Sequence, residues 1–276
     1  VSTHGPIERP SQIVVKGLTH VYGDASRSLT ALAGVDLEVG HGEFVSIIGP
    51  SGDGKTTLLK AIGGLLKPSA GTVQIDSMPP LEAQRRKAIG FVFQDPSLLP
   101  WRTVLQNIAL PLALNSGGGK RDVLKPERLL ETVGLAEFRD YYPHQLSAGM
   151  KQRVAFARAL VMNPDVLLMD EPLGALDEIT RTAMRYELLR LWEESRKTVV
   201  LVTHSIPEAV IMSDRVVVMS ARPGRIVQEI LVDLPRPRQE SLERSARFLD
   251  CADRIKDTLS LEASRGTPAL QAASRV

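Results

Sequence analysis

Gly49-Pro50-Ser51-Gly52-Asp53-Gly54-Lys55-Thr56 puts three glycines, a lysine and a closing threonine into eight consecutive positions, a set suited to holding a polyphosphate. Glycines let successive backbone N–H groups converge on one anion, and a helix starting just after them adds the positive end of its dipole. The pattern is glycine, four residues, then Gly-Lys-Ser/Thr; in it Lys55 reaches the β- and γ-phosphates and the Thr56 hydroxyl ligates Mg²⁺. Thr57 carries the loop onward into the helix. With glycine at ~7% of residues, a random chain of this length matches on the order of one per cent of the time, so the flanking elements decide. Asp53 is out of keeping with the rest. A carboxylate beside bound phosphate is electrostatically unfavourable unless it is directed away, so Asp53 is expected to face solvent.

Asp170-Glu171 follows the apolar run Val166-Leu167-Leu168-Met169. Such a pair is often no more than a solvated strand end. Beside a phosphate loop it has work to do: Asp170 is placed to hold Mg²⁺ through water, and Glu171 to act as general base on an attacking water.

The elements that must carry these residues are readable in outline. Phe44-Val45-Ser46-Ile47-Ile48 is a short β-rich run bounded by Gly42 and Gly49, the mark of a strand buried on both faces. Residues 55–66 have helical character. Strand-like segments also start at Ile13 and alternate through Val35, Leu37 and Val39, while Val166-Met169, Val199-Val202 and Val216-Met219 repeat the buried pattern. Met150, Val154, Ala157 and Val161 make one helical stripe, as do Met184, Leu188, Leu191 and Trp192. Strands alternating with helices predict an α/β core with a mostly parallel sheet. Between Pro96 and Leu146, leucine and alanine dominate and Gly117-Gly118-Gly119 interrupts, which reads as a mostly helical insertion. Past Leu234-Pro235-Arg236-Pro237, a helix with Phe248, Ala252, Ile255 and Leu259 on one face is expected to dock on its own domain, and the last ten or so residues to fray.

Composition removes several classes of function. The 276 residues are 43% hydrophobic and 24% charged, ordinary for a globular chain. A net charge of +2 is too near balance for bulk attraction to nucleic acid, and 4% aromatic residues make a base-stacking platform unpromising. A single cysteine, Cys251, excludes an internal disulfide, fits a reducing compartment and reads as a half-buried helix residue. His4, His20, His41 and His144 have no ligand spacing with one another or with Cys251, so no structural metal is expected. No stretch reaches the ~18 apolar residues of a spanning helix, and Val1–Pro10 lacks the basic flank and apolar run of a secretory signal.

Leu146-Ser147-Ala148-Gly149-Met150-Lys151-Gln152-Arg153 resembles the signature segment of ATP-binding cassette (ABC) domains, usually Leu-Ser-Gly-Gly-Gln. Phe93-Gln94-Asp95, Asp170-Glu171-Pro172, Gly174-Ala175-Leu176-Asp177 and Thr203-His204 stand around it in that family's order, over roughly Ile13 to Pro235. Ser147 and Gly149 precede a helix, so a hydroxyl and free N–H groups would face an anion; the resemblance makes that anion the γ-phosphate of ATP held by an opposite subunit. It also implies that Gln94 ligates Mg²⁺ and senses a membrane partner, that His204 holds water and Glu171 at the γ-phosphate, that Asp177 crosses the dimer interface, and that Tyr22 stacks on adenine. Ala148 and Met150 depart from the usual glycine and glutamine. The implied fold is a P-loop NTPase core with a mostly parallel sheet, an antiparallel β subdomain and a helical insertion carrying the signature. Residues 11–234 would form the nucleotide-binding domain, with a helical subdomain at about 96–160 and a helical tail over 235–276.

Gln94-Asp95-Pro96-Ser97-Leu98-Leu99-Pro100-Trp101, Leu110-Pro111-Leu112, Tyr142-Pro143-His144-Gln145 and Ala221-Arg222-Pro223-Gly224 are similar to the ATPases of importers for nitrate, aliphatic sulfonates and taurine. Importers of thiamine or pyrimidine precursors carry similar blocks. The resemblance implies an ATPase with ATP and Mg²⁺ as ligands, a homodimer on transmembrane permease subunits, and a separate solute-binding protein. It would be peripheral, on the cytoplasmic face of the inner (cell) membrane. Trp101 and its leucines would receive a permease helix, unless they are core. A soluble ABC ATPase acting on DNA or ribosomes would be expected to add coiled coils, zinc modules or a second cassette. A P-loop GTPase or kinase would lack Leu-Ser-x-Gly and His204.

Overall fold

Valine, isoleucine and leucine runs form the strands, and leucine-rich amphipathic segments form the helices, across the residues that the computed structural model describes: 10–23, 27–115 and 122–266. The chain begins with β1 (Ser11–Gly23), β2 (Ser28–Gly40), β3 (Phe44–Ile48) and α1 (Lys55–Ile62). It continues through β4 (Ala70–Ile75), α2 (Pro80–Arg85), β5 (Ile89–Val92), α3 (Val104–Ile108), α4 (Leu110–Leu114), α5 (Pro126–Thr132) and α6 (Ala148–Leu160). Then come β6 (Val166–Asp170), α7 (Glu178–Ser195), β7 (Thr198–Val202), α8 (Ile206–Met212), β8 (Arg215–Met219), β9 (Ile226–Leu231) and α9 (Ala246–Gly266). The segment with Gly117, the N-terminal histidine His4 and the last ten residues lie outside the described residues.

The strands make two sheets: a three-stranded antiparallel one in the order β2-β1-β4, and a six-stranded one in the order β5-β6-β7-β3-β8-β9. In the larger sheet every neighbouring pair is parallel except β8 with β9. This is the expected P-loop α/β core with an antiparallel β subdomain. Side chains alternate across a strand, so a strand covered on both sides must be apolar throughout. In β6, Val166 and Leu168 join the core shared with α1 and the small sheet, while Leu167 and Met169 join the core under α6 to α9. β7 divides in the same way, with Val200 and Val202 on one side and Val199 and Leu201 on the other.

Two strands were not legible beforehand. β4 buries Val73 and Ile75 alone, and β9 buries only Ile230 fully. Both lie at a sheet edge, where one face meets solvent and the apolar signal thins out. The first helix is also shorter than the expected 55–66, closing at Ile62 with Gly63 as its C-cap.

Within the insertion, α3 starts with a capping box: Thr103 Oγ1 accepts the Gln106 N–H at 3.3 Å, and Gln106 Oε1 accepts the Thr103 N–H at 3.0 Å. Asn107 is fully buried, and its amide donates to the carbonyls of Leu99, Arg102 and Thr103 while accepting the Leu99 N–H. That single side chain fixes the loop from Leu99 to Thr103, on which Trp101 stands out 71% exposed. At the other end of the chain, Phe248, Cys251 and Ile255 of α9 are buried in the same core as α7 and α8. The tail helix therefore docks on its own chain, and Cys251 is a buried core residue.

Candidate active site

In a parallel sheet, the loops leaving the carboxyl ends of adjacent strands meet at one edge, and ligands bind there. β6, β7 and β3 are neighbours, with Asp170 level with Val202 and Ile47 level with Val202. The phosphate loop after β3, Glu171 after β6 and His204 after β7 must therefore lie side by side. Val92 of β5 pairs with Met169, so two residues on, Gln94 comes level with Glu171.

The phosphate loop turns into α1 through Gly54, whose φ of 99° is a left-handed conformation that favours glycine. A Cβ there would also lie 2.8 Å from the Ala31 carbonyl oxygen on β2. Lys55 Nζ donates to the Gly49 and Pro50 carbonyls, each at 2.9 Å, and to Asp53 Oδ1 at 2.9 Å. Asp53 corrects the expectation from sequence. It does not face solvent; it is 1% exposed, turned into the loop and paired with Lys55. Repulsion from a phosphate would turn the carboxylate outward, but the Lys55 cation two residues away draws it in. Burial still pushes the Asp53 carboxyl above its ordinary range, outweighing the pull of Lys55 in the other direction.

Thr56 Oγ1 donates to Asp170 Oδ1 at 3.0 Å. Burial raises the Asp170 carboxyl, the Thr56 hydrogen bond opposes that, and the neighbouring Glu171 charge adds to it. Glu171 is the meeting point: its Oε2 lies 3.2 Å from His204 Nδ1 and accepts from Gln94 Nε2 at 3.5 Å. Its backbone has φ 44°, a left-handed conformation costing a non-glycine residue about 1–2 kcal/mol. The strain is held in place by the Glu171 N–H donating to Val202 O and the Gly174 N–H donating to Glu171 O. A hydroxyl, a carboxylate and side-chain oxygens of this kind are the hard donors that Mg²⁺ takes, so the set around Thr56 and Asp170 fits that ion.

Tyr22, Ser51, Gly52, Asp53, Gly54, Lys55, Thr56, Thr57, Glu171 and His204 line one cleft of about 520 Å³. Tyr22 stands at its mouth, 41% exposed, its hydroxyl 3.1 Å from Thr57 Oγ1 and its ring edge-on to His20. A cleft of similar size, about 580 Å³, is lined by Gln12, His41, Asp165 and Thr198. It lies at the amino ends of β6 and β7, the wrong end of a parallel sheet for a ligand.

Residues 32–174 match the family described as ABC transporter. This chain belongs to the ABC transporter family. An aliphatic sulfonates import ATP-binding protein of Rhodopseudomonas palustris is 45% identical over 82% of the chain and 76% of its own length. A nitrate import ATP-binding protein of a Synechocystis strain is 37% identical over 93% and 98%. A solved dimeric ATP-binding cassette in a post-hydrolysis state, bound to ADP and phosphate, superposes with a TM-score of 0.69 at 39% identity, covering 81% of this chain and all of that one. Binding and hydrolysis of ATP are accordingly the activity of this ABC family member.

The ABC signature does not line the cleft. Ser147 is the N-cap of α6, its Oγ accepting the Met150 N–H at 3.3 Å, and it lies exposed. Gly149 is pressed against α7: a Cβ there would fall 2.9 Å from Thr180 Cγ2. Asp177 caps α7, its Oδ1 accepting the Thr180 N–H at 3.0 Å, and that hydrogen bond holds its exposed carboxyl below the usual range. Thr180 thus ties the signature to the Asp177 turn.

Sequence reasoning missed three polar residues around the site. Arg222 lines the cleft, its Nε donating to Gly52 O at 3.0 Å. Arg181 donates to Leu173 O at 3.3 Å and Leu176 O at 2.7 Å, bracing the turn that leads to Asp177. Buried Glu208 accepts from Thr203 Oγ1 at 2.6 Å, next to His204, with Arg181 Nε 4.0 Å from its other oxygen. Arg222 stands in the importer-like block Ala221-Arg222-Pro223-Gly224, which gave it no place at the cleft, and Arg181 and Glu208 had no local pattern to mark them.

Proposed function

We propose that the chain is the ATP-hydrolysing subunit of an importer. Two copies close head to tail, each ATP lying between the phosphate loop of one copy and Ser147 and Gly149 of the other. The observation that carries this reading is the convergence of His204 and Gln94 on the Glu171 carboxylate beside Thr56 and Asp170, with the signature outside that cleft. Glu171 takes a proton from water as the water oxygen bonds to the γ-phosphorus. The bond from that phosphorus to the β–γ bridging oxygen breaks, giving ADP and phosphate. His204 holds Glu171 in position, and Lys55 offsets charge that develops on the phosphate oxygens. Thr56, Asp170 and Gln94 would hold Mg²⁺, which would supply neutralisation of phosphate charge. Tyr22 stacks on adenine, Ser51 and Gly52 with the other loop N–H groups cradle the phosphates, and Asp177 lies at the seam between the copies.

The names of the two relatives support nitrate or an aliphatic sulfonate as the class of solute, a small anion. Transmembrane permease subunits would carry it, fed by a solute-binding protein. The chain would sit peripherally on the cytoplasmic face of the cell membrane; no described helix is long and apolar enough to cross one. The test is ATP hydrolysis against protein concentration, beside Glu171→Gln. A rate per subunit that rises with concentration is expected. The variant should lose about 10²–10⁴-fold in rate, the usual worth of a general base, and accumulate as an ATP-bound dimer in size measurements. A Glu171→Gln chain that stays monomeric in ATP and turns over normally would refute the assignment.

A further inference from the structure

The phosphate loop is built around a carboxylate of its own. Both Asp53 oxygens accept from Lys55 Nζ, at 2.9 and 3.0 Å, and Oδ1 also accepts the Lys55 backbone N–H at 3.1 Å. Two glycines make the room. A Cβ on Gly49 would lie 2.0 Å from Asp53 Oδ2, and one on Gly224 would lie 1.9 Å from the Asp53 carbonyl oxygen. With Gly49 O and Pro50 O as its remaining acceptors, the Lys55 ammonium has partners for all three of its N–H groups inside the loop. It has no donor to spare for a phosphate until one of these acceptors leaves.

We propose that Asp53 is an internal competitor of the nucleotide: its carboxylate holds the anion position at Lys55, and the phosphates bind only by displacing it. The proposal rests on the reading of Lys55 as the phosphate-binding lysine. Of the three partners Asp53 alone is a side chain, able to turn away about its own bonds, whereas the two carbonyls belong to the loop backbone. A carboxylate and a phosphate also repel each other, so a phosphate approaching the single charge of Lys55 favours the departure of Asp53. A second cation stands ready to receive the displaced group. Arg222 lines the same cleft, anchored by its Nε on Gly52 O at 3.0 Å. It comes from the same β8–β9 turn as Gly224, against which the Asp53 backbone rests. The consequence is a nucleotide affinity set below what the loop alone would give, because each binding event must open a buried ion pair.

The experiment is ADP binding by titration calorimetry on the full chain, comparing wild type with Asp53→Ser, Asp53→Asn, Lys55→Ala and Arg222→Gln. ADP carries the β-phosphate to Lys55 without ATP-driven pairing of subunits. Asp53→Ser and Asp53→Asn should each bind ADP about tenfold more tightly, and Lys55→Ala much more weakly. Arg222→Gln should weaken binding when Asp53 is present and have no effect in the Asp53→Ser background. Unchanged or weaker binding in both Asp53 variants, with Lys55→Ala still weakened, would overturn the competitor role and leave Asp53 a structural partner of Lys55. Unchanged binding in Lys55→Ala would instead sink the phosphate-loop reading itself. Asp53→Asn is close in shape to the native side chain and fills the same space, so the comparison survives should the serine variant fold poorly.

Discussion

At the scale of single residues, the site is a set of close pairs that each do two things. Lys55 is the clearest case, since it neutralises a buried carboxylate and, in the proposed function, also serves the phosphates. Removing it should therefore cost stability as well as binding. In Lys55→Ala, Asp53 loses its cation and either stays buried unpaired or swings out and leaves a gap, for about 1–3 kcal/mol in either case. The double variant Lys55→Ala, Asp53→Ser removes the stranded charge. Chemical denaturation of the three proteins should show the double variant recovering most of the lost stability, while nucleotide binding stays much weakened in both. Equal stability of wild type and Lys55→Ala would mean that the ion pair contributes nothing to the fold. Glu171 is different in kind: its left-handed backbone is costly, and two backbone hydrogen bonds hold it there. Strain kept at a residue whose carboxylate meets both His204 and Gln94 points to a geometry selected for chemistry.

At the scale of elements, the carboxyl edge of the sheet is braced from α7 and α8. Arg181 holds the turn before Asp177, and Glu208 at the start of α8 holds Thr203, whose Oγ1 in turn accepts the Ser205 N–H at 3.0 Å. Burial raises the Glu208 carboxyl above its ordinary value of 4.5, more than the Thr203 hydroxyl, Arg185 and Arg181 lower it. The folded chain thus holds this proton more tightly than the unfolded chain does. Its contribution to stability is full below about the ordinary glutamate value and is lost as pH rises through the raised folded one. Glu208→Gln removes that proton, so its unfolding free energy should fall less steeply with pH above 4.5 than that of wild type. Parallel slopes in urea titrations across that range would show Glu208 ionised in the fold at its ordinary value.

These elements also show what a sequence can convey. β3, β6, β7 and β8 were legible because strands covered on both faces are apolar throughout, and the phosphate loop and the Asp170-Glu171 pair because their chemistry is local in the chain. β4 and β9 were not, since an edge strand buries too few residues to stand out. Nor were Arg222 and Glu208: Arg222 meets Gly52 from 170 residues away, and only the folded sheet brings that turn to the loop. The orientation of Asp53 turned on one partner two residues along. A rule about phosphates could not supply it.

At the scale of the whole molecule, the ATP site and the surface around Trp101 are joined by a short piece of chain. Gln94 touches Glu171 at one end, and seven residues later Trp101 stands in solvent on a loop that buried Asn107 fixes through four hydrogen bonds. A large aromatic side chain held out in water by a rigid support, at 71% exposure, gains nothing for the isolated fold. It suits a contact with another chain, where tryptophan is among the residues that contribute most to binding. Because Asn107 holds the loop without help from the indole, Trp101→Ala should change the stability of the isolated chain by no more than about 0.5 kcal/mol. ATP hydrolysis without permease should be unaltered, since the side chain lines no part of the cleft. With the membrane subunits the outcome should differ: binding should weaken by about 2 kcal/mol or more, the loss typical of a central aromatic anchor. Transport-coupled hydrolysis in reconstituted vesicles should fall with it. If Trp101→Ala supports full solute-stimulated turnover there, the permease must dock elsewhere. Any coupling of the proposed ATP site to a permease would then have to leave this chain by another surface.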